Sequence, residues 1–282
     1  MGFWAALLRD RQASTVVLRF TGPLTAISGA CTLRCMTYNI RVEACRTWAA
    51  SRGNDVRMNA GALGGRGING LKVIASALGV CVGVSGLDHG FFEALQGNTH
   101  TPGFIVQAIG PAQRMWVHGT EEAFTVIPNF LASGVTAMML GLVTIAWSIG
   151  FIDRPNGSRV LLLLGLLLFL TGGGVGMLVF LLLGWAVARR IHRPPTWWRS
   201  FVPSGVSSIL SRTWPGLVVA AMALYAFALE VAIVGVVPGV SDPDKALLIC
   251  WSALLAMLAA MVAAIVGASA QEPGRASAAG LR

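Results

Sequence analysis

Two stretches of the chain share the pattern His-Gly-x-x-Glu, and each could bring an imidazole and a carboxylate together. Residues 89–93 read His-Gly-Phe-Phe-Glu, and residues 118–122 read His-Gly-Thr-Glu-Glu. On a helix, positions i and i+4 share a face, so each pair could converge on one ion. Imidazole and carboxylate groups together bind divalent metals. The candidate metal ligands are His89, Glu93, His118, Glu122 and the neighbouring Asp88.

A plainer interpretation of the same residues is that they solvate a helix end at a membrane surface. A divalent-metal site and a proton site are the competing interpretations. The sequence contains no H-E-x-x-H zinc-protease motif, P-loop, dinucleotide fingerprint, nucleophile elbow or kinase signature. The motifs therefore argue against an enzyme more than for one.

A single carboxylate, Glu230, lies within an apolar run between Leu229 and Val231. Charged groups in such positions are costly in a membrane and usually face a bundle interior or a cavity. Glu230 is therefore a candidate for binding a proton or another cation. The alternative is a protonated side chain that is hydrogen-bonded to a neighbouring helix.

The composition of the chain indicates the surroundings in which these groups work. Of the 282 residues, 55% are hydrophobic and 12% are charged, whereas soluble domains are about 25% charged. This excludes a soluble enzyme and a disordered protein, and predicts a multi-pass integral membrane protein whose partner is the lipid bilayer. The net charge of +9 comes without a basic stripe or stacking motif, so nucleic acid is not predicted as a partner.

Long apolar runs predict the elements that must position the polar residues. A spanning helix needs about 20 apolar residues. Five apolar segments are predicted at about 71–95, 124–151, 160–187, 214–237 and 246–268. We therefore expect an all-α integral membrane helical bundle over 58–268, followed by a C-terminal tail over 269–282.

Small residues recur at four-residue spacing within three of these segments. Such faces let helix backbones approach closely in lipid. We expect them to pack within one bundle, and contact between copies in a homo-oligomer is the alternative. The three sets are Ala75, Gly79 and Gly83; Ser133, Ala137 and Gly141; and Ala256, Ala260, Ala264 and Ala268.

The first 57 residues differ from the rest, because they are rich in Arg and have no apolar run of membrane length. Three interpretations of 1–57 stay open. It is a basic cytoplasmic extension, a targeting segment, or translated upstream sequence with the true start at Met58. We prefer the third, because the stretch has no clear periodicity.

Counting positive charges creates a conflict in the topology. The loop 188–212 carries five Arg and no acidic residue, and the segment before the first helix is also basic. Both are expected in the cytoplasm, yet three single spans between them would separate them. A re-entrant hairpin within 160–187, turning at Gly172-Gly173-Gly174, resolves the conflict. A single tilted span with the N-terminus outside is the alternative.

With the hairpin, the loop 96–123 lies outside the cell and the Arg-rich loop 188–212 lies in the cytoplasm.

The region 70–190 also resembles a group of uncharacterised prokaryotic multi-pass membrane proteins. The resemblance implies a prokaryotic multi-pass membrane protein and carries no function that could be transferred, while the helical spans favour an inner (plasma) membrane over a barrel-bearing outer membrane. It rests on Gly86-Leu87-Asp88-His89-Gly90-Phe91-Phe92-Glu93, on Ile127-Pro128-Asn129 and on Gly172-Gly173-Gly174.

Three functions follow from these observations, in order of preference. The first is a structural or accessory membrane protein, because no strong catalytic motif is present. The second is a small transporter or a proton- or ion-coupled carrier that uses Glu230 and the glycine-interrupted segment, a recurring transporter layout. The third is a metal-dependent membrane enzyme that uses the two His-Gly-x-x-Glu pairs and a divalent metal.

Overall fold

The computed structural model describes residues 69–193, 195–196 and 200–280, with side chains as far as Gln271. These residues belong to one compact unit, Gly67–Arg282. The basic extension predicted over 1–57 lies outside the described residues.

The described part of the chain is mostly helical, with one small antiparallel sheet between the first two helices. The strands pair Ile105 with Phe124 and Gln107 with Glu122. The elements in chain order are α1 (Gly70–Leu95), β1 (Ile105–Gln107), β2 (Glu122–Phe124), α2 (Phe130–Gly150), α3 (Gly157–Leu170), α4 (Met177–Ala188), α5 (Ser204–Val234) and α6 (Pro243–Gly280).

Four of the helices are long and apolar enough to cross a membrane. They are α1, α2, α5 and the stretch Pro243–Gln271 of α6. The third apolar segment, predicted over 160–187, is not one helix but two. The helices α3 and α4 have 14 and 12 residues, fewer than the roughly 20 that a span requires.

Several predicted boundaries differ from the structure for local reasons. The helix α2 begins at Phe130 rather than near 124, because the Asn129 side chain accepts a hydrogen bond from the amide of Ala132 and caps the helix. The residues before it form β2 and a turn. The helix α5 begins at Ser204 rather than near 214, and α6 continues through most of the predicted tail 269–282.

The helices α3 and α4 fold back on one another. A Cβ atom on Gly165 would overlap the side chain of Leu181. In one continuous helix these two residues would be about 24 Å apart, at roughly 1.5 Å per residue. The turn between the helices contains Gly172 and Gly174, with φ angles of +100° and +79°, which residues with a side chain rarely adopt.

Both ends of this hairpin lie beside the start of α1. The Nζ atom of Lys72 is 2.7 Å from Oδ2 of Asp153, just before α3. The side-chain amide of Asn69 donates to the carbonyl of Ile191, just after α4, at 3.0 Å. The hydrogen bond from Lys72 holds the pKa of Asp153 below its usual range. We call residues 151–159 and 188–193 the hairpin base.

The helices α1 and α2 pack through their small residues. A Cβ atom on Gly83 would meet the carbonyl oxygen of Gly141, and one on Gly134 would meet the carbonyl oxygen of Gly90. The small-residue faces predicted for these two segments therefore contact each other within the bundle. Such close approach is a common way for helices to associate in lipid.

The bundle has a buried apolar core, and its outer surface is apolar as well. In the core, the hydroxyl of Tyr225 on α5 donates to the carbonyl of Cys81 on α1 at 3.0 Å. Large apolar side chains cover the exposed faces of the helices, as is expected when the surrounding solvent is lipid. Examples are Val135, Met139, Leu142, Leu163, Leu182, Val219, Leu248 and Leu255.

Candidate functional site

The last two turns of α1 carry a buried histidine and a buried carboxylate. His89 is 5% exposed and Glu93 is fully buried. They lie four residues apart on one helix, so the predicted shared face exists for this pair. Ionisable groups on a helix of membrane length are costly and commonly functional.

The imidazole of His89 makes two polar contacts. Its Nδ1 atom lies 2.9 Å from the carbonyl oxygen of Ser85, and because a carbonyl only accepts, Nδ1 is the donor. Its Nε2 atom lies 2.8 Å from Oε2 of Glu121. A neutral ring protonated at Nδ1 would place a lone pair at Nε2 against a carboxylate lone pair. A proton must therefore lie between His89 and Glu121, on one side or the other.

Glu121 reaches His89 from the loop between α1 and α2, residues 96–129. Its side chain is 43% exposed, so it connects the buried ring to the surroundings. Burial alone would raise the pKa of Glu121, but the hydrogen bond and the charge of His89 outweigh it and hold the pKa below its usual range. The pair is thus best described as an imidazolium with a carboxylate.

Glu93 has an environment of a different kind. Neither of its carboxylate oxygens has a hydrogen-bond partner among the described residues. A buried carboxylate without donors is strongly disfavoured in its charged form. Glu93 therefore requires either a proton or a bound cation.

A directed chain of hydrogen bonds explains why the neighbouring hydroxyls do not serve Glu93. The amide of Ile127 donates to Oγ1 of Thr125 at 3.1 Å. The hydroxyls of Thr125 and Ser133 are 2.7 Å apart, and Ser133 donates to the carbonyl of Thr171 at 3.0 Å. Since the Ser133 proton is used, Thr125 is the donor between the two hydroxyls. Ser133, which lies beside Glu93, can offer it only a lone pair.

The glycine turn between α3 and α4 closes the site from the other side. A Cβ atom on Gly172 would lie on the carboxylate of Glu93, and one on Gly174 would lie on the ring of His89. The glycine cluster in the third apolar segment thus permits both the turn and the close approach of its backbone to the two ionisable groups.

The second His-Gly-x-x-Glu stretch does not join this site. Residues 118–122 are not helical, so the expectation that His118 and Glu122 share a helix face is wrong. The Nε2 atom of His118 instead lies 2.8 Å from Oδ1 of Asp244 at the start of α6. Glu122 begins β2 and is exposed, because the strand alternates its side chains.

Among the described residues, the histidines and carboxylates do not assemble into a divalent-metal centre. Asp88 is half-buried next to the His89–Glu121 pair. Within the part of the chain that the structure describes, no group of three or more His, Cys, Asp or Glu side chains could hold a metal ion.

Glu230 lies apart from these residues. It is on an exposed face of α5, about one turn before the helix ends at Val234. The sequence predicts that a carboxylate in an apolar segment faces a bundle interior or a cavity. In the structure, Glu230 is instead exposed on the outer surface of the bundle.

Several members of the site have no signal in the sequence. Thr125, Ser133 and Thr171 read as ordinary polar or small residues near the ends of apolar segments. Glu121 stands out only by its position next to Glu122 and three residues after His118. Thr171 alone is weakly indicated, because it precedes the glycine cluster, where freed backbone groups need partners.

Over the described residues, the fold and the site define a helical bundle with four helices long and apolar enough to cross a membrane and a buried polar cluster near the end of α1. Comparison with protein-family models, with curated proteins and with solved structures finds no match for this chain.

Proposed function

We propose that the chain is a multi-pass integral membrane protein with four spans and one re-entrant hairpin, formed by α3 and α4. The lengths of α3 and α4 support this, because 14 and 12 residues extend only about 21 and 18 Å, less than a hydrocarbon core of roughly 30 Å. The backbone at the turn is covered by protein, since the amide of Gly172 donates to the carbonyl of Phe124 at 3.0 Å. Non-helical backbone at membrane depth needs such cover.

The proposed orientation places the hairpin base in the cytoplasm and the loop 96–129 outside. Exposed arginines at the base support it, because cytoplasmic loops are enriched in positive charge. The proposed membrane is the inner (plasma) membrane of a prokaryote, because helical spans are typical of inner membranes and barrels of outer ones. The exposed arginines are Arg154, Arg159, Arg189, Arg190 and Arg193.

Within this arrangement the protein acts as a small proton- or ion-coupled carrier. One observation carries the proposal: Glu93 is fully buried, and neither carboxylate oxygen has a hydrogen-bond donor among the residues that the structure describes. A carboxyl in that position changes charge only by exchanging a proton or a cation. The site sits at the turn of a broken helical segment, a layout in which carriers commonly bind coupling ions.

The neighbouring pair connects the surroundings of Glu93 electrostatically to the exterior. Glu121 is half-exposed in the loop 96–129, and His89 is hydrogen-bonded to it and lies one helical turn from Glu93. Because the His89 ring is already an imidazolium, a proton that enters at Glu121 neutralises that carboxylate and leaves the ring charge unpaired one helical turn from Glu93. His89 and Glu121 therefore have a positioning role and act on Glu93 through their charge, while Glu93 holds the exchanged ion.

The test is proton movement into proteoliposomes, followed with an enclosed pH-sensitive dye under an imposed pH gradient. We expect wild-type protein to carry protons and Glu93→Gln to lose at least about tenfold of the rate, since an amide cannot exchange a proton. Glu230→Gln is the matched comparison, because it removes the exposed carboxylate of α5. If Glu230→Gln abolishes movement while Glu93→Gln keeps it, the ion-carrying residue is Glu230.

A structural or accessory role is the second candidate. It is favoured by the close backbone contact between α1 and α2 at Gly83 and Gly141, which suits a static scaffold. Under this alternative, wild-type proteoliposomes carry no more protons than empty liposomes, and Glu93 is a permanently protonated core residue.

A further inference from the structure

The oxygen atoms around Glu93 form a set suited to a small cation. Besides its two carboxylate oxygens, the set contains Oγ of Ser133, which lies beside Glu93. It also contains the carbonyl oxygen of Thr171, which is 3.0 Å from Oγ of Ser133 and directly precedes Gly172, whose Cβ position falls on the Glu93 carboxylate. The hydroxyl of Thr125 follows at 2.7 Å from Ser133. All of these atoms are hard oxygen ligands, and the set includes no nitrogen or sulfur atom.

The end of α3 adds a favourable electrostatic contribution at the same place. The helix ends at Leu170, and the Thr171 carbonyl follows directly. The carboxyl end of a helix carries partial negative charge from its free carbonyl groups. In carriers with broken helices, such ends and unwound carbonyls coordinate coupling cations. This observation is independent of the burial of Glu93.

We propose that this oxygen set binds Na⁺ in competition with the proton of Glu93. This proposal rests on the proposed function, because it names a second ion that binds at the same exchange site. When Na⁺ binds, the Glu93 proton leaves, so the charge of the site is unchanged. Ser133 then directs its unused lone pair at the cation rather than at the protonated carboxyl.

The charges nearby favour a monovalent ion over a divalent one. Glu93 is the one carboxylate in the oxygen set, whereas divalent cations usually take more than one. The imidazole of His89 lies one turn away and is paired with Glu121. A positive ring so close would oppose a doubly charged ion more than a singly charged one.

The experiment is thermal unfolding of the full-length protein in detergent micelles, in NaCl, KCl or choline chloride at equal ionic strength. At pH 8.5 we expect NaCl to raise the Tm by about 3 °C or more over choline chloride, since a ligand that binds only the folded state stabilises it. At pH 5.5 the shift should shrink, because protons compete for Glu93.

Two variants and one control locate the effect. Glu93→Gln should abolish the Na⁺-dependent shift. Ser133→Ala should raise the Na⁺ concentration needed for half of the shift by at least about tenfold. Ser148→Ala is the control, because Ser148 is also buried on α2 but donates to the carbonyl of Thr144 at 2.7 Å, away from the site. If Glu93→Gln does not fold, Ser133→Ala against Ser148→Ala decides the question.

Three results would overturn the sodium site: no Na⁺-dependent shift in the wild type at pH 8.5, an equal shift in KCl, or equal behaviour of Ser133→Ala and Ser148→Ala. Each of these leaves the carrier proposal standing if proton movement still depends on Glu93. Conversely, a Na⁺ shift that requires Ser133, without any proton movement in proteoliposomes, supports the site and removes the carrier function.

Discussion

The Nε2 atom of His89, inside the helix bundle, lies 2.8 Å from Oε2 of Glu121, in the loop between α1 and α2. This contact ties a buried ring on an apolar helix to a half-exposed carboxylate. Because Nδ1 of the same ring donates to Ser85, the contact requires a shared proton. The loop and the helix are therefore coupled through one protonation equilibrium.

The first prediction concerns the pH dependence of stability. Since the pKa of Glu121 is lower in the folded protein than the ordinary value of 4.5, the ionised pair stabilises the fold above pH 4.5. That contribution is lost as the pH falls below 4.5 and through the pKa that Glu121 has in the folded protein. At pH 7, Glu121→Gln should lower the free energy of unfolding by about 1 kcal/mol, a discounted value because the side chain is half-exposed.

Thermal unfolding in micelles between pH 3 and pH 7 measures this effect. The Glu121→Gln protein should show a flatter acid limb than the wild type. Glu122→Gln is the matched control, since Glu122 is the exposed neighbour on β2, and it should follow the wild-type curve. An unchanged acid limb in Glu121→Gln would show that the pair does not contribute.

The second prediction concerns the glycine turn. Gly174→Ala should destabilise the protein by about 1–3 kcal/mol, because φ is +79° and the new methyl group would meet the His89 ring. Gly176→Ala is the control, with an ordinary φ of −61° and open space at the Cβ position. It should change stability by less than about 0.5 kcal/mol. Equal effects of the two changes in chemical or thermal unfolding would contradict the close approach of the turn to His89.

The third prediction concerns the contact between α1 and α2. Gly134→Ala should destabilise the protein by about 1–3 kcal/mol, because the added methyl group would meet the backbone of Gly90 and Ala94. Gly216→Ala, at an open position within α5, should be neutral or stabilising by up to about 1 kcal/mol, since alanine favours the helix. In one unfolding assay, Gly134→Ala should therefore lower the stability and Gly216→Ala should not. A stabilising Gly134→Ala would argue that the two backbones are not in contact.

The fourth prediction concerns sidedness. In a background free of cysteine, single cysteines at Ser158 and Ser200 should be labelled by an impermeant thiol reagent from the same side of the membrane. A cysteine at the exposed Thr99 should be labelled from the other side. Labelling of Ser158→Cys and Ser200→Cys from opposite sides would make α3 and α4 cross the membrane together, and would remove the re-entrant hairpin.

The sequence predicted the helical class and the approximate position of four long apolar helices. Hydropathy over about 20 residues depends on composition within one window, so it can be read without knowledge of the fold. The small-residue faces at Gly83 and Gly141 were also readable, because four-residue spacing places them on one side of a helix. The glycine cluster at 172–174 indicated where the third segment breaks.

The polar site was predicted only in part, and for a similar reason. His89 and Glu93 were readable as a pair because both lie on one helix. The pairing of His118 with Glu122 failed because residues 118–122 form a turn and the start of a strand. Glu230 was singled out by its apolar neighbours in sequence, yet its exposed position on α5 depends on how that helix packs against α6 and α1.

Local composition and periodicity thus account for the elements of this protein, because both act within a single stretch of chain. The partners of its ionisable groups came from the tertiary structure alone. Glu121 contacts His89, and the hydroxyl of Ser133 donates to Thr171 rather than to Glu93. Both contacts join residues that are far apart in sequence. A buried carboxylate accepts a hydrogen bond only if a nearby N–H or O–H group does not already donate elsewhere. The packing of the elements decides which acceptors those groups reach.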